Sequence, residues 1–158
     1  MQLNLARAEG AQLAQLVDDF RELVGADRDL SDPAIGRLVP DAYPQDDDAA
    51  KAFQDATRDD LLDRRAHDAD VVRAALAPLR GDLTSMSQDE AFAEHEITIP
   101  LPDIDAWLRT LTALRLIIAS RLGIEDDDDR DEDDARYGVY DWLGYRLELL
   151  IDAADQAF

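Results

Sequence analysis

His67 and His95 are the only histidines in the chain, and acids stand close to both. Asp63 precedes His67 by one helical turn, and Glu94 and Glu96 flank His95. A carboxylate that orients an imidazole is the usual start of acid–base or zinc chemistry. Two histidines this far apart, with no HExxH or similar spacing, do not make a ligand set. The acidic run at 125–134, EDDDDRDEDD, invites a calcium reading. An EF-hand loop requires glycine at its sixth position. Counted from Asp126 or Asp127, that position holds Asp131 or Glu132, so the run reads as a self-repelling, flexible acidic loop. No metal and no cofactor is expected. There is no GxSxG, no P-loop and no GxGxxG, and the absence of cysteine excludes thiolate sites, disulfides and cysteine nucleophiles.

Arg115 is the more informative side chain. It lies on the row Leu111–Arg115–Ile118–Leu122, among apolar neighbours, where an unpaired guanidinium would cost several kcal/mol. The expected partner is Asp141, through a bidentate fork that locks two helices in register, with Glu148 next. Trp107, Trp142, Tyr140 and Tyr145 recur at helical spacing and read as core.

The elements that must carry these residues are mostly helical. Leu3 and Leu5 alternate with polar neighbours in a short strand, and Ile97 and Ile99 do the same over 96–101. Two lone strands need each other for their backbone groups, so they are expected to pair. Residues 7–24 carry a helical stripe of Leu13, Leu16, Val17, Phe20, Leu23 and Val24, ended by Gly25. The piece at 32–44 holds three prolines and is expected to form one turn at most. A thin-striped surface helix opens at the three acids 46–48, with a break near His67–Asp68 and a second short helix stopped by Pro78. Residues 80–95 read as a mobile connection. Residues 103–124 form the most apolar helix, expected at the centre of the domain, and a last helix runs from Ala135. Strand, link and long helix occur twice, which suggests that the two long helices pack side by side.

The expected fold class is therefore mostly α: one helical domain over 1–158, of about five helices with a minor two-stranded β ladder. A chain of 158 residues is large enough to bury roughly 70% of its unfolded surface. Its 37 acidic residues, 29 of them Asp, stand against 15 Arg and the single Lys51, for a net charge of −21. Such a field repels DNA and anionic membranes, so no direct nucleic-acid or membrane contact is expected. The acidity fits either a salty habitat or a basic protein partner. With no basic leader ahead of an apolar core and no apolar run of about 20 residues, a cytoplasmic location is expected.

Three segments, DPAIGRLVPDAY (32–43), WLRTLTALRLIIASRLGI (107–124) and YDWLGYRLELLI (140–151), resemble in order and spacing an actinobacterial family of unknown function. That family includes AosR-like proteins and is often encoded beside the ClpS adaptor of the Clp protease. The structural or interface candidates in these segments are Arg37 and Tyr43, then Trp107 and Arg115, then Asp141 and Trp142. The resemblance implies a cytoplasmic, non-catalytic regulatory or adaptor protein in stress-response transcription, acting through contact with a sigma factor or a Clp component. A homodimer is left open. The thiol switch of cysteine-bearing members does not carry over to a chain without cysteine. The alternative is a small-molecule or metal-responsive ligand-binding domain.

Overall fold

The computed structural model describes residues 1–39, 48–123 and 137–157. Tyr43, the acids 46–47 and the acidic run at 125–134 lie outside the described residues. Six α-helices and a two-stranded antiparallel sheet make up the described architecture.

Alternation makes the sheet. Strand β1 (Gln2–Ala6) buries Leu3 and Leu5 and exposes Gln2 and Asn4. It pairs with β2 (Glu94–Thr98), Leu3 opposite Ile97 and Leu5 opposite His95. The Ile99 amide donates to the Met1 carbonyl at 2.7 Å and the N-terminal ammonium donates to the Ile99 carbonyl at 2.9 Å, extending the ladder by one pair. The expected pairing is present. β2 begins two residues earlier than alternation alone indicates, because Glu94 and His95 find partners in Ala6 and Leu5.

Helix α1 (Arg7–Val24) follows β1 without a loop and turns Leu13, Val17, Phe20 and Val24 into the core. A short helix α2 (Pro33–Leu38) starts at Asp32, whose side chain accepts from the Ala34 amide at 2.9 Å, with Pro33 pre-set for the first helical position. The 32–44 piece thus holds a little more helix than one turn. Helix α3 (Asp48–Leu76) is one continuous element, and the break expected near His67–Asp68 is absent. Leu62, Ala66, Ala69, Val72 and Leu76 are all buried and run through that point at steps of three and four. Two of the five are alanines, so the stripe looks thin in the sequence yet seals completely against its neighbours.

The connection at 80–95 is more ordered than expected. Helical turns at 77–79 and 83–85 and the short helix α4 (Gln88–Phe92) fill it, with Asp82 and Ser87 as side-chain caps. Helix α5 (Ile104–Leu122) ends on Gly123, whose φ of 74° places it in the left-handed region that closes a helix C-terminus. Asp103 stands at the N-cap position without a side-chain capping bond, since a turn at 101–103 feeds directly into the helix. α5 packs against α2, α3 and α6 and is the central element. Trp107 and Leu111 are each 1% exposed, whereas Leu116 reaches solvent, so α5 is apolar on more of its surface than it buries. Burying each such large side chain contributes about 1.5–3 kcal/mol before entropy is counted. α1 lies mainly along α3 and touches α5 only lightly, which corrects the expectation of two long helices side by side. Helix α6 (Gly138–Ala157) closes the fold against α5.

Candidate functional site

Three constellations stand at the helix junctions. The first joins α1 to α6. Glu9, in the first turn of α1, accepts from the Trp142 indole Nε1 at 2.7 Å and from Arg146 Nη2 at 2.6 Å. Trp142 and Arg146 are one turn apart on α6, so both donors converge on one carboxylate oxygen. Arg146 also donates to the Asn4 carbonyl at 3.3 Å, tying in β1. Burial alone would raise the Glu9 carboxyl, but the bonds from Arg146 and Trp142 hold it below the ordinary glutamate value. Beside this cluster runs an open groove of about 510 Å³, lined by Gln12, Val139, Trp142 and Tyr145 among others. Tyr145 and Leu149, one turn apart and continuing the line of Trp142, are 58% and 39% exposed.

The second constellation joins α5 to α6. The Arg115 guanidinium lies over the Tyr140 ring, 4.2 Å from its centroid. Gly144, one turn after Tyr140, leaves the space: a Cβ there would stand 3.0 Å from Arg115 Nε and 3.1 Å from Nη2. No ion pair or hydrogen bond joins Arg115 to Asp141, and Arg115 Nε is covered without a hydrogen-bond partner among the described residues. The expected fork is therefore replaced by a cation–π stack. The reason is angular: Tyr140 and Gly144 face α5, while Asp141, about 100° further round α6, points to solvent. Helix register is set by the glycine notch and the ring, not by a carboxylate.

The third lies between α3 and the first half of α5. Arg109 grips Asp68 with two of its three guanidinium nitrogens, Nε to Oδ2 at 2.8 Å and Nη2 to Oδ1 at 3.1 Å. Asp68 is 8% exposed, and its hydrogen bond holds the Arg109 guanidinium above the ordinary arginine value. Arg65 lies next to this pair at the floor of a cleft of about 710 Å³. Burial pulls the Arg65 guanidinium down, with Asp68 opposing and Arg109 adding to the effect.

The other candidates fall apart spatially. Trp107 is core and cannot meet a partner. Arg37 is half-buried in the last turn of α2. Arg115, Asp141 and Trp142 do share the α5–α6 end of the molecule. His67 lines the cleft beside Arg65, and His95 sits in β2, so the two histidines are on different elements. Among the described residues no group of three or more His, Asp or Glu side chains is placed to hold a metal ion. Glu9, Arg146, Asp68, Arg65 and Arg109 were not singled out by the sequence. Only the Trp142–Arg146 spacing, with an acid in the first turn of α1, hinted at the first cluster.

The family described as "Domain of unknown function (DUF2017)" matches residues 1–154. The chain belongs to the DUF2017 family. No curated protein and no solved structure matches it. Each of the three constellations of this DUF2017 domain lies within the matched span, and all three pin helix to helix by an arginine set against a carboxylate or an aromatic ring. No helix among the described residues is long and apolar enough to cross a membrane.

Proposed function

We propose that this DUF2017 domain is a non-catalytic regulatory or adaptor protein that acts through protein–protein contact, with the outer face of α6 as the contact surface. The observation that carries the reading is the stripe Trp142–Tyr145–Leu149. It presents an aromatic and an aliphatic side chain to solvent one turn apart, beside a groove on α1. Tyrosine and tryptophan on a rigid helix are favoured anchors of protein interfaces, because they bury large areas at small entropic cost. The Glu9–Trp142–Arg146 cluster fixes the helix that displays them. A net charge of −21 favours a partner with a basic surface and would speed their encounter.

The resemblance of the three segments to AosR-like actinobacterial proteins encoded beside ClpS supports a sigma factor or a Clp component as that partner. Any role in stress-response transcription would then run without a thiol switch, since the chain has no cysteine. The test is affinity capture from an actinobacterial lysate with wild-type protein and with a Tyr145→Ser/Leu149→Ser variant. Capture of a sigma factor or Clp component by the wild type alone supports the reading; capture of neither overturns it. A second reading, a small-molecule-responsive domain, draws support from one feature, the Arg65 cleft.

A further inference from the structure

We propose that the cleft between α3 and α5 binds an oxyanion, a phosphate or carboxylate group of a small molecule, with Arg65 as the principal donor and Arg64 and Arg109 flanking it. The first observation is the state of Arg65. Its Nε is fully covered and has no hydrogen-bond partner among the described residues, and its Nη1 reaches only the Arg109 carbonyl, at a marginal 3.5 Å. Nε is therefore closed to a ligand, and what Arg65 offers the cleft is its Nη groups, whose one bond among the described residues is that weak one. Asp68 is near enough to act on Arg65 electrostatically, but its two oxygens accept from Arg109, and no ion pair joins it to Arg65 among the described residues.

The second observation is that two neighbouring arginines of one cleft go without a carboxylate on an acidic surface, although a covered, unmatched Nε is found at Arg7, Arg115 and Arg146 as well. Arg21, Arg28, Arg73, Arg80, Arg121 and Arg146 each hold a carboxylate. With acids more than twice as numerous as bases, an arginine finds one readily. Arg65 and its neighbour Arg64 hold none among the described residues, and both line the same cleft with His67 and Arg109. Of the acids there, Asp63 is drawn away to Arg28 at 2.9 Å and Asp68 is consumed by Arg109, which leaves Asp60 as the only lining acid with no ion pair among the described residues.

The third is shape. About 710 Å³ falls in the range of small-molecule sites. A planar fork such as Arg65 matches two oxygens of a phosphate or carboxylate at once, which an ammonium cannot do. The field of the whole chain opposes any anion, so the isolated group should bind weakly, with a dissociation constant on the order of millimolar.

The experiment follows the side-chain Nε–Hε resonance of Arg65 by NMR, assigned through Arg65→Lys, while inorganic phosphate or acetate is titrated at constant ionic strength made up with chloride. A saturable shift of that resonance and of the α3–α5 amides is expected. It should vanish in Arg65→Gln, weaken in Arg64→Gln and persist in Arg80→Gln. Response to phosphate alone assigns a phosphate-bearing ligand, and response to acetate a carboxylate. If Arg65→Gln does not fold, the wild-type titration and Arg64→Gln decide. A linear or absent response, shifts spread away from the cleft, or an Arg64→Gln midpoint equal to wild type would overturn the proposal.

Discussion

Glu9→Gln is the substitution that asks most of the α1–α6 junction. It keeps the shape and one acceptor oxygen and removes the charge that gathers Trp142 and Arg146. A hydrogen bond to a charged group contributes roughly 1.5–3 kcal/mol when buried, and an exposed ion pair about 0–1. The Arg146 and Glu9 side chains retain 19% and 32% of their exposure, so the junction lies between these limits. The variant should lose about 1–2 kcal/mol, which for a domain of this size is a fall in Tm of roughly 2–8 °C. The pH dependence has a definite sign. The folded carboxyl is held below its usual 4.5, so its contribution is present above 4.5 and is lost as the pH falls through the lower folded value. Wild type and variant should therefore converge in acid. Thermal melts across pH, read by tryptophan emission, give both numbers. Trp107 is sealed in the core, so a change in the native emission reports Trp142. A variant within about 0.5 kcal/mol of wild type at neutral pH, or a gap that widens in acid, would refute the reasoning.

Gly10→Ala should destabilise and Gly36→Ala should stabilise. A Cβ on Gly10 would stand 2.4 Å from Leu79 Cδ1 in the core, an overpacking cost of about 1–3 kcal/mol that outweighs the roughly 1 kcal/mol gained in helix propensity. At Gly36 nothing lies within 4 Å, and urea melts should show opposite signs. A double-mutant cycle between Arg115→Ala and Tyr140→Leu should return a coupling of about 0.5–2 kcal/mol, while the Arg115–Asp141 cycle stays below about 0.5. Asp32→Ala removes both the α2 cap and the fork in which Arg121 Nη1 and Nη2 donate to Asp32 Oδ1 and Oδ2 at 2.9 and 2.7 Å. It should cost about 1–2 kcal/mol. Because the Arg121 and Ala34 bonds hold the Asp32 carboxyl below 3.8, that cost should fade as the pH falls through the lowered value.

Elements whose apolar residues are large were legible in the sequence. The stripes of α1 and α5, the alternation of Leu3 and Leu5 against Ile97 and Ile99, and the left-handed Gly123 all follow from side-chain period and glycine alone. α3 was misread because alanine fills the helix–helix contact at Ala66 and Ala69, and a small residue carries little periodic signal while sealing the interface fully. The 80–95 stretch was misread because its order comes from side-chain caps at Asp82 and Ser87, which stabilise turns without an apolar repeat. Arg115 stacks on Tyr140 between α5 and α6, and the partner it meets depends on which face of α6 meets α5. That face is decided by Gly144, whose value lies in the side chain it lacks. The Arg65 cleft left no trace in the sequence, since Arg64 and Arg65 sit among Asp60, Asp63 and Asp68, which cancel them in one dimension. Only the fold hands two of those acids to Arg28 and Arg109.

The most direct test of the contact reading is a binding isotherm between this chain and the sigma factor or Clp component that it captures, measured for wild type and for Tyr145→Ser/Leu149→Ser. Both side chains stand outside the core, so the variant should melt within about 0.5 kcal/mol of wild type. The account predicts at least a tenfold loss of affinity, about 1.4 kcal/mol or more, with wild-type binding that weakens as salt rises. An isotherm unchanged by the double substitution would contradict it.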